Sequence, residues 1–410
     1  MNVNIWLFDL DSVLVYPGGY RAAFMATVDH FSRAMGLGGG LLDHSTSETF
    51  EACDITSEWD SSAICVAVLI EEIWRADPGL RLPLDLDAAL SAIRASAPQR
   101  PRADFGAWAR RIGQAMANKR YPSDAALTLL LEDASQSPPV DGRLIELETC
   151  LRGLLEHTRD FSRAPAMRIF QHYTLGSDRF ARHYGIAPAF ETPSLLRELD
   201  QPALKPAWRE RVLGLAARGE IHPVIYTARP CWPRSLPGRQ EDYAPEAEIA
   251  LELVGLPSLP LVGFGHVSWL AAQCNHHLDY FVKPSPVHAL AAVGLAIGGE
   301  ERAALDSARR LVEENHLDVP LDALRGQRVG IHVFEDTAGG ILSVMNAAQQ
   351  LQQAGVLVEV KAWGIASTPG KREALKALGV PTCTDVNLAI DAASNRLGQT
   401  AAMDRSVKEL

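Results

Sequence analysis

The chain has 410 residues, 47% of them hydrophobic and 22% charged, with a net charge of −11. That is enough sequence for two domains, or for one large domain carrying an insert. The acidic balance excludes broad electrostatic binding to nucleic acid or to anionic membranes. It leaves room for an anionic substrate, because a bound divalent cation reverses the local field of a carboxylate site.

In chain order, the opening V-N-I-W-L-F-D-L-D-S-V-L-V is an apolar run interrupted mainly by acids. Residues 3–8 read as a strand buried on both faces, as in a parallel sheet. From about residue 20 to 200 the pattern is helical. Phe24, Val28, Phe31 and Met35 recur at helical spacing, and further helices are predicted over 63–74, 86–95, 105–117, 125–133 and 144–157. Asp77-Pro78-Gly79 and Ser137-Pro138-Pro139 punctuate them. After residue 203 strands alternate with helices. Helices are predicted over 206–218, 244–254, 302–314 and 341–354, with Gly219 and Gly255 just beyond two of them. Strands are predicted over 221–226, 259–264, 278–282, 329–334 and 356–360. The predicted fold class is therefore α/β, a Rossmann-like, doubly wound, mostly parallel sheet core with a large all-helical insert. The expected division is a core of residues 1–19 and 201–410 and a helical cap of residues 20–200.

Four sets of polar residues stand at the C-terminal ends of predicted strands, the edge where open parallel sheets bind ligands. They are Asp9 and Asp11, Thr227, Lys283, and Glu335 with Asp336. These types suit phosphoryl transfer. One aspartate can attack phosphorus, and a second can move the leaving group's proton. A further carboxylate pair completes a hard-oxygen site for Mg²⁺. Lysine and threonine can hold phosphate oxygens.

In this order the four motifs resemble those of the haloacid dehalogenase-like superfamily of phosphohydrolases. They are Asp-x-Asp-x-Val at Asp9 to Val13, a strand followed by Thr227, Lys-Pro-x-Pro at Lys283 to Pro286, and Glu-Asp before a small-residue turn at Glu335 to Gly340. The stretch F-E-D-T-A-G-G-I looks like the phosphoglucomutase and phosphoglycolate-phosphatase type, subfamily I, with a large C1 cap inserted after the first motif. The resemblance implies that Asp9 is nucleophile and Mg²⁺ ligand. It implies that Asp11 is general acid/base with its backbone carbonyl on the metal. Thr227 and Lys283 would hold the phosphate, and Asp336 with Glu335 would complete the metal site. Because the second acid, Asp11, is present, a phosphatase or phosphotransferase is implied rather than a dehalogenase. The implied substrate is a small phosphate monoester. Two alternatives stay open: a phosphotransferase or phosphomutase of the same family, and an inactive binding or regulatory protein on this fold.

Other features are weaker. Arg229, just before the Pro- and Arg-rich stretch 230–242, is either a substrate contact or a residue stacked near Trp232. Gly36 to Gly40 follows no strand and reads as a helix end. His276, His277 and Cys274 lack the spacing of a metal site. Ser57 and Asp60 read as a capping box; the sharper alternative puts Glu58, Trp59 and Asp60, like Tyr20 and Arg21, towards a substrate. Cys53, Cys65, Cys150, Cys231, Cys274 and Cys383 form no CxxC pair, and no apolar run reaches membrane-spanning length. No basic segment with a cleavage site opens the chain. These features predict a cytoplasmic protein with reduced thiols and no membrane partner.

Overall fold

The computed structural model describes residues 2–117, 119–136, 142–238, 243–366 and 369–408. The Pro cluster at 137–139 and residues 239–242 of the Pro- and Arg-rich stretch lie outside the described residues. The chain divides into two compact units, Met1–Pro17 with Asp200–Leu410, and Gly18–Leu199.

In the first unit the strands are β1 (Asn2–Phe8), β2 (Val15–Tyr16), β3 (Gln201–Pro202), β4 (His222–Tyr226), β5 (Leu261–Val262), β6 (Arg328–Glu335), β7 (Leu357–Ile365) and β8 (Thr382–Cys383). Six form one sheet in the order β5-β4-β1-β6-β7-β8, and every neighbouring pair is parallel. Side chains alternate across it. Ile5, Leu7, Val224, Tyr226, Ile331 and Val333 enter a core with the helices Phe264–Cys274, Pro286–Ala296, Glu301–Glu314 and Ala338–Gln353. Trp6, Phe8, Ile225, Phe334 and Trp363 enter a second core on the other face, with the helices Pro206–Ala217 and Glu246–Val254. The central strands β1 and β4 are thus covered on both sides, which is why they read as apolar runs, whereas the first half of β7 (Leu-Val-Glu-Val-Lys) is half-exposed and alternates. The short β2 and β3 pair antiparallel, Val15 opposite Pro202.

The strand order reverses around β1. The chain builds outward through β4 and β5, then returns to place β6 on the other flank of β1. A crevice at the carboxyl ends of such strands is the place where doubly wound sheets bind ligands.

Two predicted strands differ from the structure. Residues 259–264 contribute only Leu261–Val262, because Gly263 starts the helix Phe264–Cys274. Residues 278–282 are not a strand: Leu278–Tyr280 is a 3-10 turn closed by Tyr280 N–H to His277 O and Phe281 N–H to Leu278 O. Lys283 therefore leaves a turn, not a strand end.

The second unit is helical, built around Glu58–Ala76, whose residues from Asp60 to Glu71 are buried without interruption. A helix apolar on every side belongs inside a bundle. Here Gly19–Ala34, Pro122–Ser135, Arg143–Leu155 and Pro165–Leu175 supply the surrounding side chains. The expected capping box is absent: Ser57 makes no side-chain cap bond. Asp60 instead turns into the bundle, accepting from Thr158 Oγ1 at 2.5 Å and Arg159 at 2.8 Å. Tyr20 stacks on Phe170, and Arg21 pairs with Glu48 and Glu51. Gly36, Gly38 and Gly40 all take positive φ after the first helix of this unit, as a helix end requires. No helix among the described residues is long and apolar enough to cross a membrane, and all six cysteines are free.

Candidate active site

The register of the sheet assembles the site. Phe8 lies opposite both Ile225 of β4 and Phe334 of β6. The chain therefore emerges from three adjacent strands at one level, and the next residues there are Asp9, Tyr226 with Thr227, and Glu335 with Asp336. Phe8 and Phe334 stack at 4.5 Å directly behind the acids. Asp9 N–H donates to Phe334 O at 3.0 Å, tying the two strand ends together.

Asp9, Glu335 and Asp336 are all buried, and each offers a carboxylate oxygen within 4.8 Å of the others. Among the described residues this is the one such group of metal-ligating side chains. His276 and His277 instead pair with Glu313 and Asp279. The three acids do not face the same partners. Lys283 Nζ lies 2.7 Å from Glu335 Oε2 and 3.1 Å from Asp9 Oδ1, and 4.0 Å from the centre of the Tyr226 ring. Glu335 Oε1 accepts from the backbone N–H of Asp336 and of Thr337, each at 3.1 Å, and from Thr337 Oγ1 at 2.8 Å. Both oxygens of Glu335 are thus engaged by the protein. Asp336 Oδ2 takes the ammonium of Lys371.

Burial pushes the Asp9 carboxyl up to about 7, with Glu335 adding to the rise and Lys283 opposing it. Burial raises Glu335 and Asp336 as well, opposed by Lys283 and Lys371 respectively. For Lys283, burial would disfavour the ammonium, but Asp9 and Glu335 outweigh it and hold its pKa above the ordinary value. Three buried acids against two ammonium groups, the buried Lys283 and the half-exposed Lys371, leave the cluster short of positive charge. Their oxygens are the hard donors that a small divalent cation takes.

Asp11 stands on the other side of the first loop. Leu14 and Val15 N–H both return to Leu10 O, and Ser12 takes a left-handed φ of 61°. This tight turn carries Asp11 to Arg229, whose Nε and Nη2 grip its two oxygens at 2.8 and 2.6 Å. Arg229 Nη2 also bonds Asp200 at 2.8 Å. Arg229 is 2% exposed, so its fork is directed at acids of the protein. Thr227 is buried; its N–H donates to Val262 O and its Oγ1 accepts from Arg229 N–H at 3.2 Å. Its hydroxyl thus caps the turn that aims Arg229.

Asp9, Asp11, Thr227, Arg229, Lys283, Glu335 and Asp336 all belong to the α/β unit. Sequence reasoning missed Asp200, Lys371, Tyr226 and Thr337, and named Gly340 only as the end of the turn after Glu335. Thr337 and Gly340 carried a usable signal. Thr337 is the N-cap of Ala338–Gln353 and accepts from Gly340 N–H. Gly340 lies so close to Glu335 that any Cβ there would overlap the carboxylate.

No protein-family model matches the chain, and no curated protein matches it. Solved structures similar to it include a Northeast Structural Genomics Consortium target designated ZR25. It superposes with a TM-score of 0.59 at 14% identity, over 96% of this chain and 99% of that one. This likeness extends the fold to a second protein and says nothing of chemistry. The phosphatase Tt82 from Thermococcus thioreducens is also similar at 14% identity, over 88% of this chain and 91% of that one. Its TM-score of 0.42 is too low to bear on function.

Proposed function

We propose that this chain is a Mg²⁺-dependent phosphatase of the haloacid dehalogenase-like superfamily, which hydrolyses a small phosphate monoester through an aspartyl-phosphate on Asp9. The observation that carries the reading is the buried cluster of Asp9, Glu335 and Asp336 around Lys283, at the carboxyl edge of the sheet where its strand order reverses.

In this reading Asp9 Oδ attacks phosphorus, and the bond from phosphorus to the ester oxygen breaks. The leaving alkoxide takes a proton from Asp11. Water then gives a proton back to Asp11 and attacks the phosphoryl group, releasing inorganic phosphate and the Asp9 carboxylate. Lys283 and the Thr227 hydroxyl hold the non-bridging oxygens. Asp11 must turn from Arg229 to carry a proton, because the guanidinium grips both of its oxygens. Mg²⁺, held by Asp9, Asp336 and the Asp11 backbone carbonyl, would neutralise charge on the phosphoryl oxygens. Glu335, with both oxygens engaged by the protein, orients Lys283.

The test is phosphate release from an aryl phosphate and a panel of sugar and nucleotide monophosphates, with Mg²⁺ and with chelator. Release that requires Mg²⁺ is expected, and the ranking of the panel defines the substrate class. Release that persists undiminished in chelator would remove the metal from the account. Transfer of phosphate to an added alcohol in preference to water would make the enzyme a phosphotransferase.

A further inference from the structure

Lys371 lies on the helix Pro369–Ala377, which follows β7 in the chain. Its Nζ is on Asp336 Oδ2 and 3.4 Å from Ser12 Oγ. It thus joins the loop after β6 to the strained turn after β1. The Lys371 side chain is 41% exposed and that of Asp336 only 5%. The ammonium therefore approaches from solvent and closes the outer oxygen of a buried carboxylate. Lys283 approaches the same cluster from within, 9% exposed.

A divalent ion and the Lys371 ammonium on that oxygen would repel each other across a few ångströms. A divalent ion seated among Asp9 and Asp336 would compete with Lys371 for Asp336 Oδ2. A lysine on a flexible four-carbon stem can give way at little cost. Once displaced it stays tethered beside Ser12, three residues after Asp9 in the chain. With the metal in place, three carboxylates face two positive charges from the ion and one each from Lys283 and Lys371. That sum is net positive and suits a dianion.

Building on the reading of the Asp9 cluster as a Mg²⁺-dependent phosphatase site, we propose that Lys371 is a second phosphate-holding ammonium of that site, resting on Asp336 until a divalent cation takes the carboxylate. It weakens binding of the bare metal and strengthens binding of phosphate to the metal-loaded protein.

The experiment is calorimetric titration of the full-length protein and its Lys371→Met and Lys371→Arg variants, first with Mg²⁺ alone and then with inorganic phosphate at saturating Mg²⁺. Lys371→Met should bind Mg²⁺ about two- to fivefold more tightly, the worth of a half-exposed ion pair. It should bind phosphate at least about fivefold more weakly, as loss of a charged contact implies. Lys371→Arg should restore phosphate binding towards wild type. Opposite signs in the two titrations cannot come from a merely structural lysine. Unchanged constants, or both weakened together, overturn the proposal while leaving the phosphatase reading intact. A wild-type protein that binds no Mg²⁺ overturns both.

Discussion

Lys283 Nζ sits 2.7 Å from Glu335 Oε2 while also reaching Asp9 Oδ1, so one ammonium bridges the acid that follows β1 and the acid that ends β6. Removing it strands two buried carboxylates. Lys283→Met should cost about 3–5 kcal/mol of stability, the usual result of breaking a buried ion pair from one side. Adding Glu335→Gln should recover much of that loss without recovering activity. Urea unfolding of the single and double variants checks this. Equal stability of the two would show that the pairing is incidental.

Gly340 is the residue that lets Glu335 stand where it does. A Cβ there would overlap the Glu335 carboxylate, whereas a Cβ on Gly339 would meet nothing within 4 Å. Gly340→Ala should therefore lower phosphatase turnover at least about tenfold by moving Glu335 and with it Lys283. Gly339→Ala, in the first turn of the same helix, should leave turnover unchanged. Matching kinetics for the two variants would contradict this geometry.

Arg229 is bound on both sides by acids, and its pair with Asp200 is almost wholly dry, at 1% exposure for each side chain. Arg229→Ala should cost about 3–5 kcal/mol by leaving Asp200 buried without its partner. Arg229→Lys should recover only part of this, because an ammonium cannot reproduce the bidentate grip on Asp11. Denaturation midpoints of the two variants give the comparison.

In the helical unit, Glu71 is fully buried with Arg75 at 3.0 Å. Burial pushes its carboxyl from 4.5 up to about 7, more than Arg75 offsets. The folded state thus keeps a proton that the unfolded chain releases near 4.5. Its contribution is fully present below that pH and is lost as pH rises towards about 7. Glu71→Gln should be more stable than wild type at pH 8 and no more stable at pH 4. Thermal unfolding at the two pH values measures this, and a stabilisation independent of pH would contradict it.

Much of the fold was legible because burial on both faces leaves a plain sequence mark. The runs over 3–8 and 329–334 are mostly apolar and end abruptly in acids, and both are central strands. The segment 278–282 was misread because a short apolar stretch before a lysine does not distinguish a strand from a 3-10 turn. The helix Pro286–Ala296 is buried on nearly every side, so it offers no periodicity to read. Ser57 and Asp60 matched a cap by spacing, yet Asp60 is drawn to Thr158 and Arg159, about a hundred residues away, which no local pattern announces.

The acids of the site could be named because strand ends fix their positions. Asp200 and Lys371 could not. Lys371 meets Asp336 across 35 residues, and Asp200 meets Arg229 across 29. Both contacts depend on how helices and loops return to the sheet edge.

The central claim is that Asp9 is the nucleophile. Phosphate release from an aryl phosphate in Mg²⁺, compared between wild type and Asp9→Asn, tests it most directly. The account predicts steady release by wild type and a fall of at least about 10³-fold in a variant that remains folded, as for loss of a covalent nucleophile. Release by folded Asp9→Asn at a rate near that of wild type would contradict it.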